Sequence, residues 1–400
     1  MKHIEKGGFL VTTNLPCVRK SEFNGVVYRD DFLNVDFGLI PTGGNNTAHA
    51  PTLIETKDGG LLCAWFAGSF EGSGDISIVV SKLDPETQVW SVPETVSKGE
   101  DRSEQNPAFF RAPDGHIWLI YTSQLSRQEG KDNMQFTSII MVQKSRDEGK
   151  TWGASEVLFA NEGTFSRQAI QILSNGRWIF STWLCEDSPE GLTNDPTEFQ
   201  LSDDQGKTWR AVRMPDSNGR VHANVVEVAT GHLVAFMRSR FADHVYRSES
   251  FDFGDSWSVP EATVLPNNNA SVSAIKLRSS EVALAYNMNA ANNAEFGKVT
   301  WPGLRNPVVV SVSEDFGKTW PVGRILEAAE GYIGNENKTN NSQHEYPTLY
   351  QDRKGLLHLV YAYKNRLCVK YVRFTVEELF GEKREAEGLY NPTSGEGVNK

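Results

Sequence analysis

The chain has 400 residues, a formal net charge of -11 and 39% hydrophobic residues. An acidic balance of that size excludes nucleic acid and anionic membrane surfaces as partners. No apolar run approaches the roughly 18 residues of a membrane-spanning helix, and Met1-Lys-His-Ile-Glu-Lys-Gly7 lacks a secretory apolar core, so the expectation is a cytoplasmic protein or a secreted one whose leader is absent from this sequence.

Along the chain, the segment Phe23 to Phe37 is suited to an outer strand that closes a ring of sheets, within an N-terminal stretch 1–44. A series of hairpins follows. Pro51-Thr-Leu-Ile54 and Leu61-Leu-Cys-Ala-Trp65 flank Asp58-Gly59-Gly60, and a degenerate turn motif runs from Ser81 through Asp84 to Trp90. Pro107-Ala-Phe-Phe110 and His116-Ile-Trp-Leu-Ile-Tyr121 flank Asp114-Gly115, before Ser145-Arg-Asp147-Glu-Gly149-Lys-Thr151-Trp152. Gln168 to Ile172 and Arg177 to Phe180 flank Asn175-Gly176, before Ser202-Asp-Asp204-Gln-Gly206-Lys-Thr208-Trp209. Asn224 to Val228 and His232 to Phe236 flank Thr230-Gly231, before Ser250-Phe-Asp252-Phe-Gly254-Asp-Ser256-Trp257. Val272 to Leu277 and Glu281 to Tyr286 precede Ser313-Glu-Asp315-Phe-Gly317-Lys-Thr319-Trp320, and Tyr346 to Tyr350 and Leu356 to Tyr361 flank Lys354-Gly355. A short helix over Thr375 to Phe380 and a disordered tail end the chain.

Asp-Gly and Asn-Gly between short apolar runs are hairpin signals. In the recurring octapeptide, Gly permits a left-handed turn, Ser and Asp bond the turn backbone, and Trp fills the space beneath. Its copies step by roughly 50 to 65 residues, the length of one four-stranded propeller blade. The expected fold is therefore all-β: a single-domain β-propeller of antiparallel four-stranded blades over about 45–375. Six blades are counted, and a seventh follows only if the first forty residues build one. Cys17, Cys63, Cys185 and Cys368 have no metal-ligand spacing and are expected to be buried free thiols. The sequons at Asn45, Asn269, Asn337 and Asn340 are what chance provides in an Asn-rich chain.

Polar or ionisable groups open each first strand: His49, Gln105 and Asn106, Arg167, His222, Asn269 and Ser271, and His344, Glu345 and Tyr346. Such groups at the head of apolar strands are costly unless they face a shared wet cavity. Ordinary loop polarity explains any one of them, but not the set.

This organisation resembles the sialidase-like superfamily of Asp-box (bacterial neuraminidase repeat) propellers, from about Asn45 to Phe374. The resemblance implies a substrate site at the mouth of the central channel, with arginines clamping a carboxylate, a tyrosine nucleophile activated by glutamate, and an acidic proton donor. Arg238, Arg305 and Tyr346 match that pattern. His49-Ala50-Pro51 stands where the first arginine belongs, His222 where the activating glutamate belongs, and only Glu71 and Asp75 are on offer as the acid. The swaps turn the chemistry toward β-elimination, in which cations neutralise a uronate C6 carboxylate and His or Tyr moves the C5 proton. In this respect the chain looks similar to lyases that cut terminal L-rhamnose-α-1,4-D-glucuronate ends of plant gums.

The residues expected to be catalytic are thus His49, His222 and Tyr346. Those expected to bind substrate are Arg167, Arg238, Arg305, Asn106, Gln105, His344 and Glu71, with no metal site assigned. Blander roles stand beside these: Arg167 paired to a neighbouring-blade carboxylate, Tyr346 as a packed aromatic, Glu345 as an orienting partner, and Arg240 and Arg247 as rim charges. The partner expected is a uronate-containing oligo- or polysaccharide met by a monomer. No cofactor motif is present. Elimination, sialidase-type hydrolysis of a terminal acidic sugar, and non-catalytic glycan binding all remain open on the sequence.

Overall fold

A computed structural model describes residues 23–31, 33–129, 134–187, 191–301, 304–327 and 343–380. Its strands form six antiparallel sheets arranged as the six blades of a propeller. The inner strands are Thr47–Glu55, Arg102–Arg111, the broken pair Thr164–Ser166 and Gln171–Ile172, Arg220–Ala229, Ser273–Lys276 and Glu345–Gln351. There is no seventh blade among the described residues. Instead, Val35–Ile40 pairs with Cys368–Phe374 and Val27–Asp30 pairs with Val35–Ile40, so the N-terminal segment widens the sixth blade from its outer edge. That pairing covers the edge an open last blade would expose.

The core is a ring of blade-to-blade contacts. Ile54, Leu62 and Phe66 of the first blade meet Phe109, Leu119 and Tyr121 of the second. On the opposite face of the first sheet, Leu53, Cys63 and Trp65 meet Val360, Val369 and Tyr371 of the sixth. Each blade is buried on both faces, which is why a strand such as Leu61–Gly68 is apolar along its length rather than alternating. Cys63, Cys185 and Cys368 are buried free thiols, whereas Cys17 lies outside the described residues. Asn269 is wholly buried, which closes its sequon to modification. The helix Val376–Phe380 starts at a reciprocal cap: Thr375 Oγ1 accepts the Glu378 N–H at 3.0 Å and Glu378 accepts the Thr375 N–H at 2.7 Å.

The four octapeptides form the turns between the third and fourth strands of blades two to five. In the last of them, Ser313 Oγ donates to Asp315 at 2.8 Å, and Asp315 accepts the Thr319 N–H at 2.8 Å and its hydroxyl at 2.7 Å. Gly317 has φ +82, and a β-carbon there would press on the buried Phe236 ring of the preceding blade. Gly317→Ala is expected to cost about 2 kcal/mol or more, from left-handed strain plus the clash. Gly176→Ala, at φ +87 with open space around it, should cost only about 1 kcal/mol. Urea unfolding of the two variants reads the difference.

The third blade departs from the strand expected over Gln168 to Ile172. Its inner strand breaks after Ser166, where the Arg167 side chain crosses the channel to bond Pro51 O at 3.0 Å and Thr348 Oγ1 at 2.9 Å. Anchoring that guanidinium in the first and sixth blades pulls the backbone out of its own ladder.

Candidate active site

The inner strands do not enter the mouth as regular β structure. Ala50, Asn106, His222, Asn269 and Tyr346 have φ of +52, +49, +58, +57 and +56, one in each of five blades. In four of those blades the ladder skips at this point, between His49 and Thr52, Gln105 and Ala108, Val221 and Asn224, and Glu345 and Thr348. These are bulges that re-aim side chains, and a left-handed non-glycine residue at each costs on the order of 1–3 kcal/mol. Pro51, Pro107 and Pro347 follow three of the bulged residues, where the missing N–H removes no ladder bond.

Tyr346 lies at the centre of what these bulges assemble. The guanidinium carbons of Arg238, Arg305 and Arg167 stand 5.5, 5.6 and 5.8 Å from its ring centroid. His49 packs on the ring at 4.1 Å, and His222 meets it edge-on at 5.5 Å. Arg238 donates to the Tyr346 hydroxyl, to Asn269 Oδ1 at 2.6 Å and to His222 Nε2 at 3.2 Å. A guanidinium only donates, so His222 Nε2 is the accepting nitrogen and the ring proton sits on Nδ1. Trp183 stacks on the other side of that imidazole at 4.4 Å. Neither His49 nitrogen, nor His222 Nδ1, has a hydrogen-bond partner among the described residues.

A second layer of charge fixes the arginines. Glu345, fully buried, binds Arg305 through one oxygen and the Arg366 Nε at 2.9 Å through the other. Arg366 reaches on to Glu71 at 2.5 Å. Burial by itself would raise both carboxyls. Arg305 and Arg366 instead hold Glu345 well below its ordinary range, and Arg366 holds Glu71 at about 2. Burial pushes the His49 imidazole down to about 3, with Arg366 adding to the effect. Burial and then Arg238 hold His222 well below its usual value. Both rings are therefore neutral near pH 7. Burial also lowers the guanidinium of Arg238 to about 10, which leaves it charged there.

The structure gathers His49, His222, Tyr346, Arg238, Arg305 and Glu71 in one place. Arg167 stands against the same tyrosine from beneath, and the remaining expected site residues lie outside the cluster. Arg167 is 2% exposed and supports Tyr346 from below through backbone oxygens and Thr348, with no carboxylate partner among the described residues. His344 stacks on Tyr363 at 4.9 Å in the wall between the fifth and sixth blades. There burial lowers it to about 4, near the Glu327–Lys370 pair. Asn106 bonds Ser166 O, which ties the second blade to the third, and Gln105 bonds Ser103 Oγ. Asp75 is held by Ser69 beside the loop base. Arg240 is a buried partner of Asp195 at 2.5 Å rather than a rim charge.

Arg366, Trp301 and Trp183 were not legible as site residues. Reading only strand starts overlooks that an antiparallel blade returns to the mouth between its second and third strands. Arg366 sits in that return of the sixth blade, in a turn where Lys364, Asn365 and Arg366 have φ of +48, +57 and +67. Trp301 lies on the corresponding connection of the fifth blade, 52% exposed, with Arg238 5.3 Å from its ring. A basic pair in that returning turn is the signal to look for.

Residues 59–359 match the family model of the BNR repeat-like domain. The chain belongs to that family. Among solved structures, this BNR repeat-like chain superposes on the NanB sialidase of Streptococcus pneumoniae with a TM-score of 0.67 at 15% identity, covering 86% of this chain and 71% of that one. It is similar to the Hadza microbial sialidase Hz136 at TM-score 0.66 and 16% identity, covering 83% of this chain and 66% of the sialidase. A protein of unknown function from Dyadobacter fermentans matches at TM-score 0.65 and 19% identity, over 90% of this chain and all of the other, at 100%. At such identities these likenesses establish the fold. No curated protein sequence gives a significant match. The sialidase-like BNR propeller superfamily inferred from the octapeptides is thus the right one. No helix among the described residues is long and apolar enough to cross a membrane.

The neutral histidines have a consequence for stability. A His that binds a proton at pH 6.5 when unfolded, but only near 3 when folded, supports the fold fully above about 6.5 and loses that support as pH falls toward 3. Glu71 and Glu345 add their own loss only below their ordinary 4.5. Between pH 6.5 and 4.5, each of His49 and His222 should therefore contribute up to about 1.4 kcal/mol of destabilisation per unit. Urea unfolding across that window should show the slope, and His49→Phe should flatten it by one histidine's share.

Proposed function

We propose that the chain is a carbohydrate-active enzyme that grips the carboxylate of an acidic glycan and removes a terminal sugar next to a uronic acid by β-elimination. The L-rhamnose-α-1,4-D-glucuronate ends of plant gums are the fitting substrate class. Arg238 and Arg305 take the C6 carboxylate, which draws charge from C5 and acidifies its proton. Neutral His49 accepts that proton at a ring nitrogen, and the incoming carboxylate stabilises the imidazolium as it forms. The C5–H electron pair becomes the ring double bond as the C4–O bond breaks. Tyr346 then protonates the departing oxygen, and water returns the enzyme to its starting protonation. His222, through Nε2, holds Arg238 against the phenol.

The observation that carries this reading is the state of the carboxyls. Glu71 is ion-paired to Arg366, and Glu345 to Arg305 and Arg366, whereas hydrolysis needs a protonated acid beside the scissile oxygen. Sialidase-type hydrolysis is the second reading. It is favoured by Tyr346 standing among Arg238 and Arg305 and by the named activities of NanB and Hz136. It requires Glu71 to pick up a proton when substrate displaces Arg366.

Incubation with gum arabic and, separately, with a sialylated glycan separates the readings. Elimination produces near-ultraviolet absorbance from an unsaturated uronate together with free terminal sugar. Free sialic acid without that absorbance would replace the lyase reading with hydrolysis. Product from neither substrate would leave a glycan-binding propeller.

A further inference from the structure

Beside the mouth, between the third, fourth and fifth blades, lies an open cleft of about 590 Å³ lined by Met214, Asp216, Asn218, Arg220, Phe241 and Phe296, among others. Arg220 is 6% exposed and its guanidinium is packed among three aromatic rings, 4.8 Å from Phe241, 4.5 Å from Tyr246 and 4.7 Å from Phe296. One Nη donates to Asn218 O at 2.6 Å, while Nε is buried without a partner among the described residues. Arg240, Arg305, Arg213 and Arg177 each pair with a carboxylate, whereas no such pair forms at Arg220 among the described residues. Its other polar partner is the Tyr246 phenol, through which alone it reaches the Asp243 carboxylate. A desolvated guanidinium with no direct carboxylate among the described residues attracts an anion. Asp216 is the carboxylate at the cleft, and it is exposed on the rim.

Phe296 lies over Arg220 yet is 72% exposed, so it offers a flat apolar face to solvent directly above a buried cation. An aromatic plane next to a carboxylate-binding group suits an acidic sugar, whose C–H face stacks while its carboxylate is bonded. One chain connection links the cleft to the mouth. Phe296 and Trp301 belong to one connection, pinned where Thr300 N–H bonds Arg240 O at 2.9 Å and Asn269 Nδ2 bonds Thr300 O at 2.8 Å. Trp301 covers Arg238 at one end of that connection and Phe296 covers Arg220 at the other.

We propose that the Arg220–Phe296 cleft is a second binding site, for an acidic sugar unit of the same glycan further along the chain from the end held at Tyr346. The inference rests on the glycan reading above but not on the reaction type. It assigns the cleft to length preference: long acidic chains gain a contact that minimal substrates lack.

Two measurements test it with the full chain. In a Tyr346→Phe background, titration calorimetry with acidic oligosaccharides from partially hydrolysed gum arabic should show binding that Phe296→Ala weakens roughly five- to tenfold and Phe296→Trp restores. Carboxyl-reduced versions of the same oligosaccharides should bind weakly and be insensitive to Phe296. In the active enzyme, Phe296→Ala should raise KM for gum arabic and leave kcat, and KM for the shortest cleaved substrate, unchanged. Binding that ignores Phe296, or that is equal for acidic and reduced ligands, or that is absent, overturns the proposal. Failure of the lyase reading would look different: no unsaturated product from any variant, with the calorimetric contrast intact.

Discussion

Tyr346→Phe should lower kcat on the cleaved glycan by roughly a hundred- to ten-thousandfold, the range expected when a proton-transfer group is removed from the reacting centre. The change deletes one oxygen and leaves the ring, so the packing of His49 on one side and the three guanidiniums around it should survive. Arg238 loses one acceptor but keeps Asn269 Oδ1 and His222 Nε2. Thermal unfolding within a few degrees of the parent would show that the loss is chemical. A kcat within threefold of the parent would remove Tyr346 from the mechanism and reduce it to a packed aromatic. The same variant serves both readings of the site, since the phenol is proton donor in elimination and nucleophile in hydrolysis. The product distinguishes those two, not the variant.

Glu345→Gln should be the most destabilising single change at the site. The carboxylate is wholly buried and carries Arg305 on one oxygen and Arg366 on the other. Neutralising it leaves the buried Arg305 guanidinium without its carboxylate and Arg366 with Glu71 alone. Removing one partner of a buried ion network typically costs about 3–5 kcal/mol, which for a chain of this size lowers Tm by roughly 4–6 °C. The cost arises from the stranded charges rather than from the lost attraction. Adding Arg305→Met to Glu345→Gln should therefore recover part of the loss, and the double variant should be more stable than the sum of the singles implies. Strict additivity in a double-mutant cycle would show that Glu345 and Arg305 do not act as one unit. Activity should not return with stability, because Arg305 belongs to the proposed carboxylate grip.

Much of the site was legible at the strand starts. His49, His222 and Tyr346 stand out because each interrupts an apolar strand, and burying an imidazole or phenol has a cost that a sequence rarely accepts without use. His344 carries the same signature and goes to the blade wall. Its ring packs on Tyr363 while the next two residues turn into the mouth, and only the bulge at Tyr346, with φ +56, decides which residue faces which way. A register shift of one residue exchanges the two faces of a strand, so no pattern of polarity alone could have separated them.

The sequence by itself determined the repeat, the count of six hairpins and the turn chemistry of the octapeptides. Each of these depends on residues close together in the chain, where Gly, Asp and Ser dictate local backbone geometry. Tertiary structure alone decided that Arg366 of the last blade stands next to His49 of the first, and that Arg220 lies under Phe296 with no carboxylate paired to it among the described residues. Those are contacts across the closure of the ring or between neighbouring blades. Their partners are set by how twisted sheets pack around an axis, and a single sequence carries no local record of that packing.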